Sequence, residues 1–331
     1  MVPVIGLDVG GANTKAALVD GDERVRVASE PFEVWRRPDA LSGAIASVVG
    51  RLGVEDVPVA VTTTAELVDA FGTKREGVLH VLEATRQALP GRRLRVLTTA
   101  GELIDLEEAQ AAPLRCAAAN WMATAMLVAR SLPDAILVDC GGTTTDVIPI
   151  AGGEVVARGR TDLERLQAAE LVYTGALRTN VAAIVSAVPI GGRPCPVSSE
   201  LFAVSADAHL LRGSLTPEEC TCTFPDGRGA SLPEAQARLA RVVCADPEQL
   251  ADGDLEAIAA AVEEAQVVAI TTALRRVAAE VAGDAPAVTV GVGEFLARSA
   301  AKRCGLAIHE HFVRGGREVA AAVALSVLGR E

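Results

Sequence analysis

The feature that most narrows what this chain can fold into is a phrase written twice. Leu137 to Ile150 reads LVDCGGTTTDVIPI: an apolar run delivers Asp139, two glycines and three hydroxyls to one point, then turns apolar again. Ile5 to Val19, IGLDVGGANTKAALV, has the same frame. Asp8 matches Asp139, Gly10 and Gly11 match Gly141 and Gly142, and Thr14 matches Thr145. Each copy reads as a strand, a tight glycine turn and a second strand. A hairpin signal follows each, Asp20-Gly21 in one and Gly152-Gly153 in the other. A shared frame with the same downstream hairpin predicts duplicated halves.

The turns carry chemistry as well as topology. Backbone N–H groups bared by paired glycines cradle an anion, helped by Asn13 and Thr14 in the first copy and by Thr143, Thr144 and Thr145 in the second. Glycines also mark ordinary hairpins, and that reading stands beside this one. The copies differ at one place: Lys15 stands where Asp146 stands. One turn offers phosphate a cation, the other offers a metal a carboxylate. Asp8 and Asp139 only accept hydrogen bonds when ionised, so beside a phosphate they need a cation between, and Mg²⁺ is expected.

Composition sets the outer limits. The chain has 331 residues, room for two domains, and a net charge of −12, which argues against a broad nucleic-acid surface. No uninterrupted apolar run reaches membrane-span length, and the start MVPVIGLDVGG lacks a basic leader, so a cytosolic protein with small-molecule substrates is expected, its oligomeric state open. Lys15, Lys74 and Lys302 are the only lysines, which makes a lysine in a glycine turn more notable. The seven cysteines read as free thiols. Neither Cys220-x-Cys222 nor the His309/His311 pair has the further ligands of a metal site nearby in sequence.

Along the chain, strands at 4–8, 14–19 and 25–34 precede a helix over 40–52 and a buried strand over 57–63. That strand ends in Thr62, Thr63 and Thr64 before Glu66, placing polar groups where ligands of α/β sheets gather. Helices follow over 76–89, 105–111 and 116–130, with a strand over 95–98. Pro133 marks the expected boundary between a first half, 1–133, and a second half, 134–316. The second half contains strands over 135–140, 146–150 and 154–159, and an irregular insert at about 190–230. Helices over 232–243, 255–281 and 294–303 and strands over 288–291 and 306–309 complete it, before a closing helix over 318–328. Two strand-rich halves with glycine turns aimed at a central cleft make a two-domain α/β architecture. A third glycine motif, VGVGEFL at Val290–Leu296, adds Gly291 and Gly293 as candidate ligand contacts at a helix start. Arg178 reads equally as an anion clamp or as a surface arginine, and Tyr173, the only tyrosine, is expected in the core, with stacking on an aromatic substrate as the other reading.

The three glycine motifs resemble the phosphate-1, phosphate-2 and adenosine motifs of the actin, sugar-kinase and Hsp70 superfamily. Within it, the phrasing resembles the hydantoinase/oxoprolinase-related branch. GLDVGGANTKAA, TTTAELVDAFGTKREGV (62–78), AAANWMATA (117–125), VYTGALRTNV (172–181) and RLARVVCAD (238–246) are similar to the condensing enzymes of methanofuran biosynthesis. Bacterial relatives of these are labelled tetrahydromethanopterin-linked C1-transfer proteins.

This resemblance implies a two-domain actin/ribonuclease-H-like fold whose last helix, 317–331, packs back on the first half. It implies a transferase that joins an aminomethyl-furan-methanol diphosphate to γ-glutamyl-tyramine, forming an aryl ether and releasing diphosphate without ATP. The leaving diphosphate would be held by the glycine turns, Lys15 and Mg²⁺ on Asp8 or Asp139. Glu66, Asp105 and Asp146 are candidates for the phenol's base. An ATP-dependent kinase or oxoprolinase-type hydrolase, and a non-catalytic nucleotide switch, are the alternatives the same motifs leave open.

Overall fold

The computed structural model describes residues 3–20, 24–281, 283–309 and 319–330. Gly21 of the first hairpin signal and His311 of the histidine pair lie outside them. Among the described residues two six-stranded sheets and a small hairpin carry the fold.

The first sheet has the order β3-β2-β1-β4-β5-β6. Its members are β1 (Ile5–Gly10), β2 (Asn13–Val19), β3 (Val25–Pro31), β4 (Val59–Thr64), β5 (Leu94–Leu97) and β6 (Leu103–Asp105). β1 to β3 form an antiparallel meander, while β4 lies parallel to β1 and β5 parallel to β4. The apolar runs of β1 and β4 are buried, as strands covered on both faces must be. Helices α1 (Leu41–Gly50) and α2 (Lys74–Ala88) pack on this sheet through Ile45, Val48, Val78, Val81 and Leu82, all fully buried. Each such side chain contributes roughly 1.5–3 kcal/mol relative to exposure. The start of α2 is written in the sequence as Thr73-Lys74-Arg75-Glu76: the Thr73 hydroxyl accepts from the Glu76 amide at 3.1 Å.

The other large sheet has the path β10-β8-β7-β13-β14, with β9 beside β8. Its strands are β7 (Ala135–Cys140), β8 (Thr145–Ala151), β9 (Glu154–Val155), β10 (Leu171–Val172), β13 (Ala287–Val290) and β14 (Ile308–His309). The insert expected to be irregular holds part of a hairpin, β11 (Ala187–Ile190) with β12 (Arg193–Pro196), and a helix, α7 (Ser205–Leu211). Both pack on the long helix α9 (Asp254–Ala278), as do α8 (Leu232–Arg241) and α10 (Glu294–Arg303). By length and composition α9 could cross a membrane, but half of its most apolar window is buried inside the protein.

The described chain divides into two compact units, and the division departs from a single cut at Pro133. Unit 1 comprises Met1–Leu137, Ile148–Ala168 and Glu310–Glu331, and unit 2 comprises Val138–Val147 and Ala169–His309. The segment 148–168 belongs to unit 1 because its partners do. β9 packs on α4 (Asn120–Ser131), and the Gly153 amide donates to the Pro133 carbonyl at 2.8 Å. α5 (Asp162–Ala168) adds an ion pair from Asp162 to Lys74. Its Arg165 guanidinium lies 4.4 Å from the ring centre of Trp121.

The last helix, α11 (Ala320–Leu328), packs on α4, β1 and β2 within unit 1. Ser326 ties it there: its hydroxyl accepts from the Val19 amide at 2.9 Å and donates to the Val4 carbonyl at 2.6 Å. A Cβ on Gly6 would come within 1.8 Å of the Ala322 carbonyl oxygen, so glycine is what lets this helix lie directly on β1.

Candidate active site

In unit 1 the ladder registers bring three residues into one row. Asp8 on β1 is paired with Lys15 on β2 and with Thr62 on β4. Residues paired across a sheet share a face, so carboxylate, ammonium and hydroxyl stand side by side. Asp8 and Thr62 are buried, and neither Asp8 Oδ1 nor Thr62 Oγ1 has a hydrogen-bond partner in the structure. Buried oxygens of this kind are costly unless something satisfies them, which makes the row a place for a ligand, a cation or water. Burial pushes the Asp8 carboxyl above its ordinary range, and Lys15 opposes that shift.

The turn beside this row is pinned by backbone. The Val34 and Phe32 amides donate to the Gly11 and Ala12 carbonyls, each at 2.9 Å. A Cβ on Gly10 would meet the Asn13 carbonyl oxygen at 2.8 Å, and one on Gly11 would meet Val68 Cγ1 at 2.8 Å. Side chains are excluded there, so the turn presents main chain. Strand alternation puts Thr14, paired with Val9, on the face away from Lys15 and wholly buried. The structure thus brings Asp8, Lys15, Gly10 and Gly11 together but leaves Thr14 out.

Glu66 follows β4 and is 1 % exposed. The backbone of α2 presses on it: a Cβ on Gly77 would lie 2.6 Å from Glu66 Cα. The Thr63 hydroxyl donates to Glu66 Oε2 at 3.4 Å. Burial raises its carboxyl to about 7, with Lys74 pulling it down and Asp162 pushing it up. A carboxyl poised there suits general-base work at neutral pH. Lys74, an awkward cation at a helix start, is explained by its 2.5 Å pair with Asp162, beside which Arg165 stands at 3.6 Å. Asp105, by contrast, is on the surface in a 3.8 Å pair with Arg95.

In unit 2 the second turn is closed by the Gly141 amide on the Thr144 carbonyl at 2.8 Å. It is also strapped from outside by residues 174–178. The Ala176 amide donates to the Gly141 carbonyl at 2.9 Å, and the Leu177 and Arg178 amides to the Gly142 carbonyl at 2.9 and 2.8 Å. The Thr145 hydroxyl donates to the Thr174 carbonyl at 2.8 Å. A Cβ on Gly175 would fall 2.5 Å from the Thr143 amide nitrogen, so the strap can lie this close only as glycine. Asp139, one residue before the end of β7, is half-buried, Asp146 is buried on β8 opposite Leu171, and Thr143 and Thr144 are half-buried. Arg178 is exposed at the end of the strap.

One expectation changes here. Tyr173 is 61 % exposed rather than in the core, because it lies just beyond the end of β10 and outside the strap's hydrogen bonds. Gly291 and Gly293 pack tightly on Cys140: Gly291 has φ +94°, and Cβ atoms at the two positions would strike the Cys140 carbonyl oxygen at 2.2 Å and Cys140 Sγ at 2.4 Å. Glu294 accepts from the Thr289 hydroxyl at 3.2 Å and pairs with Arg298 at 3.6 Å.

The sequence model of the hydantoinase/oxoprolinase family matches residues 58–328. The chain belongs to this family. A curated relative, the (4-{4-[2-(gamma-L-glutamylamino)ethyl]phenoxymethyl}furan-2-yl)methanamine synthase of Methanocaldococcus jannaschii, is 38% identical over 255 residues, covering 77% of this chain and 75% of the relative. The synthase of the same name from Methanococcus vannielii is 40% identical over 115 residues, 35% of this chain and 51% of the relative. Among solved structures, nucleotide-free acetone carboxylase is similar with a TM-score of 0.65 at 13% identity, covering 98% of this chain and 70% of that one. A ROK family glucokinase from Streptomyces griseus has a TM-score of 0.50 at 16% identity, covering 99% of each chain. These structural likenesses bear out the actin-like, sugar-kinase-like α/β fold, and at such identities they speak of fold alone.

Asp162 and Arg165 beside Lys74, and His209 and Gln266 behind the strap, belong to no motif in the sequence. The one local signal was Gln266, a lone uncharged polar residue in the apolar stretch Ala265–Ile270 of α9.

Proposed function

We propose that this protein is a transferase condensing an aminomethyl-furan-methanol diphosphate with γ-glutamyl-tyramine to an aryl ether, with release of diphosphate. The observation that carries the reading is the 38% identity to the methanococcal synthase across 77% of the chain. The Asp8–Lys15–Thr62 row gives that identity a chemical sense.

The furfuryl carbon supports positive charge, so its bond to the diphosphate oxygen weakens as charge on the leaving group is neutralised. Lys15 and the backbone of Gly10 and Gly11, with Asn13 beside them, would hold that anion. The phenol oxygen forms the new bond to carbon, the carbon–diphosphate bond breaks, and the phenolic proton passes to Glu66, which returns it to solvent. Asp8 suits Mg²⁺ as one carboxylate with an unpartnered oxygen, since this ion takes one or two carboxylates and fills its shell with phosphate and water. Mg²⁺ bound there would add charge neutralisation at the leaving oxygens. The strapped turn of unit 2, with Asp139, Asp146 and Arg178, is a second seat for a phosphoryl anion.

ATP-dependent readings rest on fold likeness and on the family match, whereas the transferase reading rests on the 38% identity to the synthase. A thermal-shift comparison tests the choice. Inorganic diphosphate with Mg²⁺ raises the melting temperature and ATP with Mg²⁺ does not, since only a ligand of the native state stabilises it. Stabilisation by ATP alone would turn the assignment towards a kinase or an ATP-dependent hydrolase.

A further inference from the structure

We infer that Gln266, held by His209, is a positioning residue for the second glycine turn, acting through the strap at residues 174–178. This rests on reading that turn as a seat for a phosphoryl anion.

Gln266 is 1 % exposed and its side chain makes three close polar contacts. Its amide nitrogen donates to the Thr174 hydroxyl and to the Gly175 carbonyl, both at 2.8 Å. Its amide oxygen lies 2.8 Å from Nε2 of His209, itself wholly buried. The orientation of the amide follows from its partners. The Gly175 carbonyl can only accept, so the NH₂ group must face it and the oxygen must face His209. His209 therefore carries its proton on Nε2, and donates it.

Both atoms that Gln266 grips belong to the strap that clasps Gly141 and Gly142. The Ser205 hydroxyl also donates to the Gly175 carbonyl, at 2.8 Å, and the Thr179 hydroxyl accepts from the Gly175 amide at 3.0 Å. Gly175 is thus fixed on both of its polar groups. Its missing side chain is what allows contact with Thr143, so a small displacement of the strap moves the turn itself. An anion cradle made of backbone amides works only if those amides are held in place before the ligand arrives.

The charged groups facing the pair are Glu263 on α9 and Arg212 just after α7. Glu263 Oε2 is 3.8 Å from His209 Nδ1, and Arg212 Nε is 3.6 Å from Glu263 Oε2. The edge of Phe295 on α10 closes the remaining side at 4.8 Å between ring centres. A proton on Nδ1 would strengthen the contact with Glu263 and leave the Nε2–H bond to Gln266 intact.

The test uses two variants of the full chain, Gln266→Leu and Gln266→Glu. Binding of inorganic diphosphate with Mg²⁺ is measured by calorimetry from about pH 8 to about pH 5.5 in a Lys15→Ala background, so that the second turn is read apart from the first, with KM for each substrate measured in the otherwise wild-type chain. Gln266→Leu, which can neither donate nor accept, is expected to weaken diphosphate at least about tenfold while the phenol's KM stays within about twofold. Gln266→Glu is expected to bind as weakly at high pH and to recover as pH falls, because a protonated carboxyl regains one donor for Gly175 and keeps an acceptor for His209. Should Gln266→Leu fail to fold, the isosteric Gln266→Glu carries the test alone. The affinity of the Lys15→Ala parent in folded Gln266→Leu, or a pH-independent Gln266→Glu, overturns the inference. A Lys15→Ala parent that binds no diphosphate removes the anion seat itself, and the inference with it.

Discussion

Asp8 stands directly opposite Lys15 across the β1–β2 ladder, one buried carboxylate beside one of the chain's three lysines. The same Asp8 faces Thr62 on the other side, and two of the oxygens in this row lack partners.

Replacing Lys15 with Ala is expected to lower turnover by about 10²–10³-fold, the usual effect of removing one charge-stabilising group at a leaving oxygen. Lys15 is half-buried in a strand, not in the core, so stability should change by no more than about 1 kcal/mol. Asp8 also loses the cation that opposes its burial, and its carboxyl moves further up. Steady-state kinetics together with denaturant melts separate the two effects, and unchanged turnover in a folded variant would remove Lys15 from the site.

Glu66 gives a pH prediction with a definite sign. Its folded carboxyl lies at about 7 against an ordinary 4.5, so the native state holds a proton that the unfolded chain releases. Wild-type stability therefore falls as pH rises from 4.5 towards 7 and levels off above, by about 3 kcal/mol in all. Glu66→Gln lacks this loss, and its stability relative to wild type should rise across the same window. In activity, kcat/KM of the wild type should climb through an apparent pKa near 7 as the base ionises, whereas Glu66→Gln should be slow at every pH. A pH-independent stability difference would mean that Glu66 is already ionised in the native state.

The C-terminal helix offers a test of the fold free of catalysis. Gly6→Ala forces a methyl group into the Ala322 carbonyl and should cost about 3 kcal/mol or more. Ser326→Ala leaves the Val19 amide buried without its acceptor and should cost about 1–3 kcal/mol. Chemical denaturation of both variants measures this. Near-neutral values would mean that α11 does not rest on β1 and β2 in solution.

What the sequence made legible was local. Each glycine turn, its flanking strands and the cap of α2 lie within about a dozen residues, where alternation and turn chemistry have direct signatures. Lys15 opposite Asp8 was implicit in the turn, since a tight turn fixes the register of its strands. Thr14 matches Thr145 in frame, but similarity of frame says nothing of which face a residue takes, and Thr14 lies on the face away from Lys15. The remaining links join distant stretches: Lys74 to Asp162 over 88 residues, Gln266 to Thr174 over 92, and Ser326 to Val4 over 322. No periodicity encodes such pairs. The return of 148–168 to unit 1 was invisible for the same reason, being decided by partners on α2 and α4.

Metal dependence provides a further check on Asp8. Asp8→Asn keeps the shape of the row but removes its charge, and the Mg²⁺ concentration for half-maximal activity should rise at least about tenfold. Asp139→Asn, altered on the second turn, is measured beside it. An unchanged titration in both variants would make these carboxylates structural and place the ion elsewhere.

The most direct measurement is coupling without nucleotide. The protein is incubated with Mg²⁺, the aminomethyl-furan-methanol diphosphate and γ-glutamyl-tyramine labelled with ¹⁸O in its phenol, and the products are weighed by mass spectrometry. Attack of the phenol at carbon predicts the aryl ether with the label retained, together with unlabelled diphosphate, and no requirement for ATP. Ether that forms only when ATP is added, or labelled phosphate, or free furan-methanol as the sole product, would contradict the account.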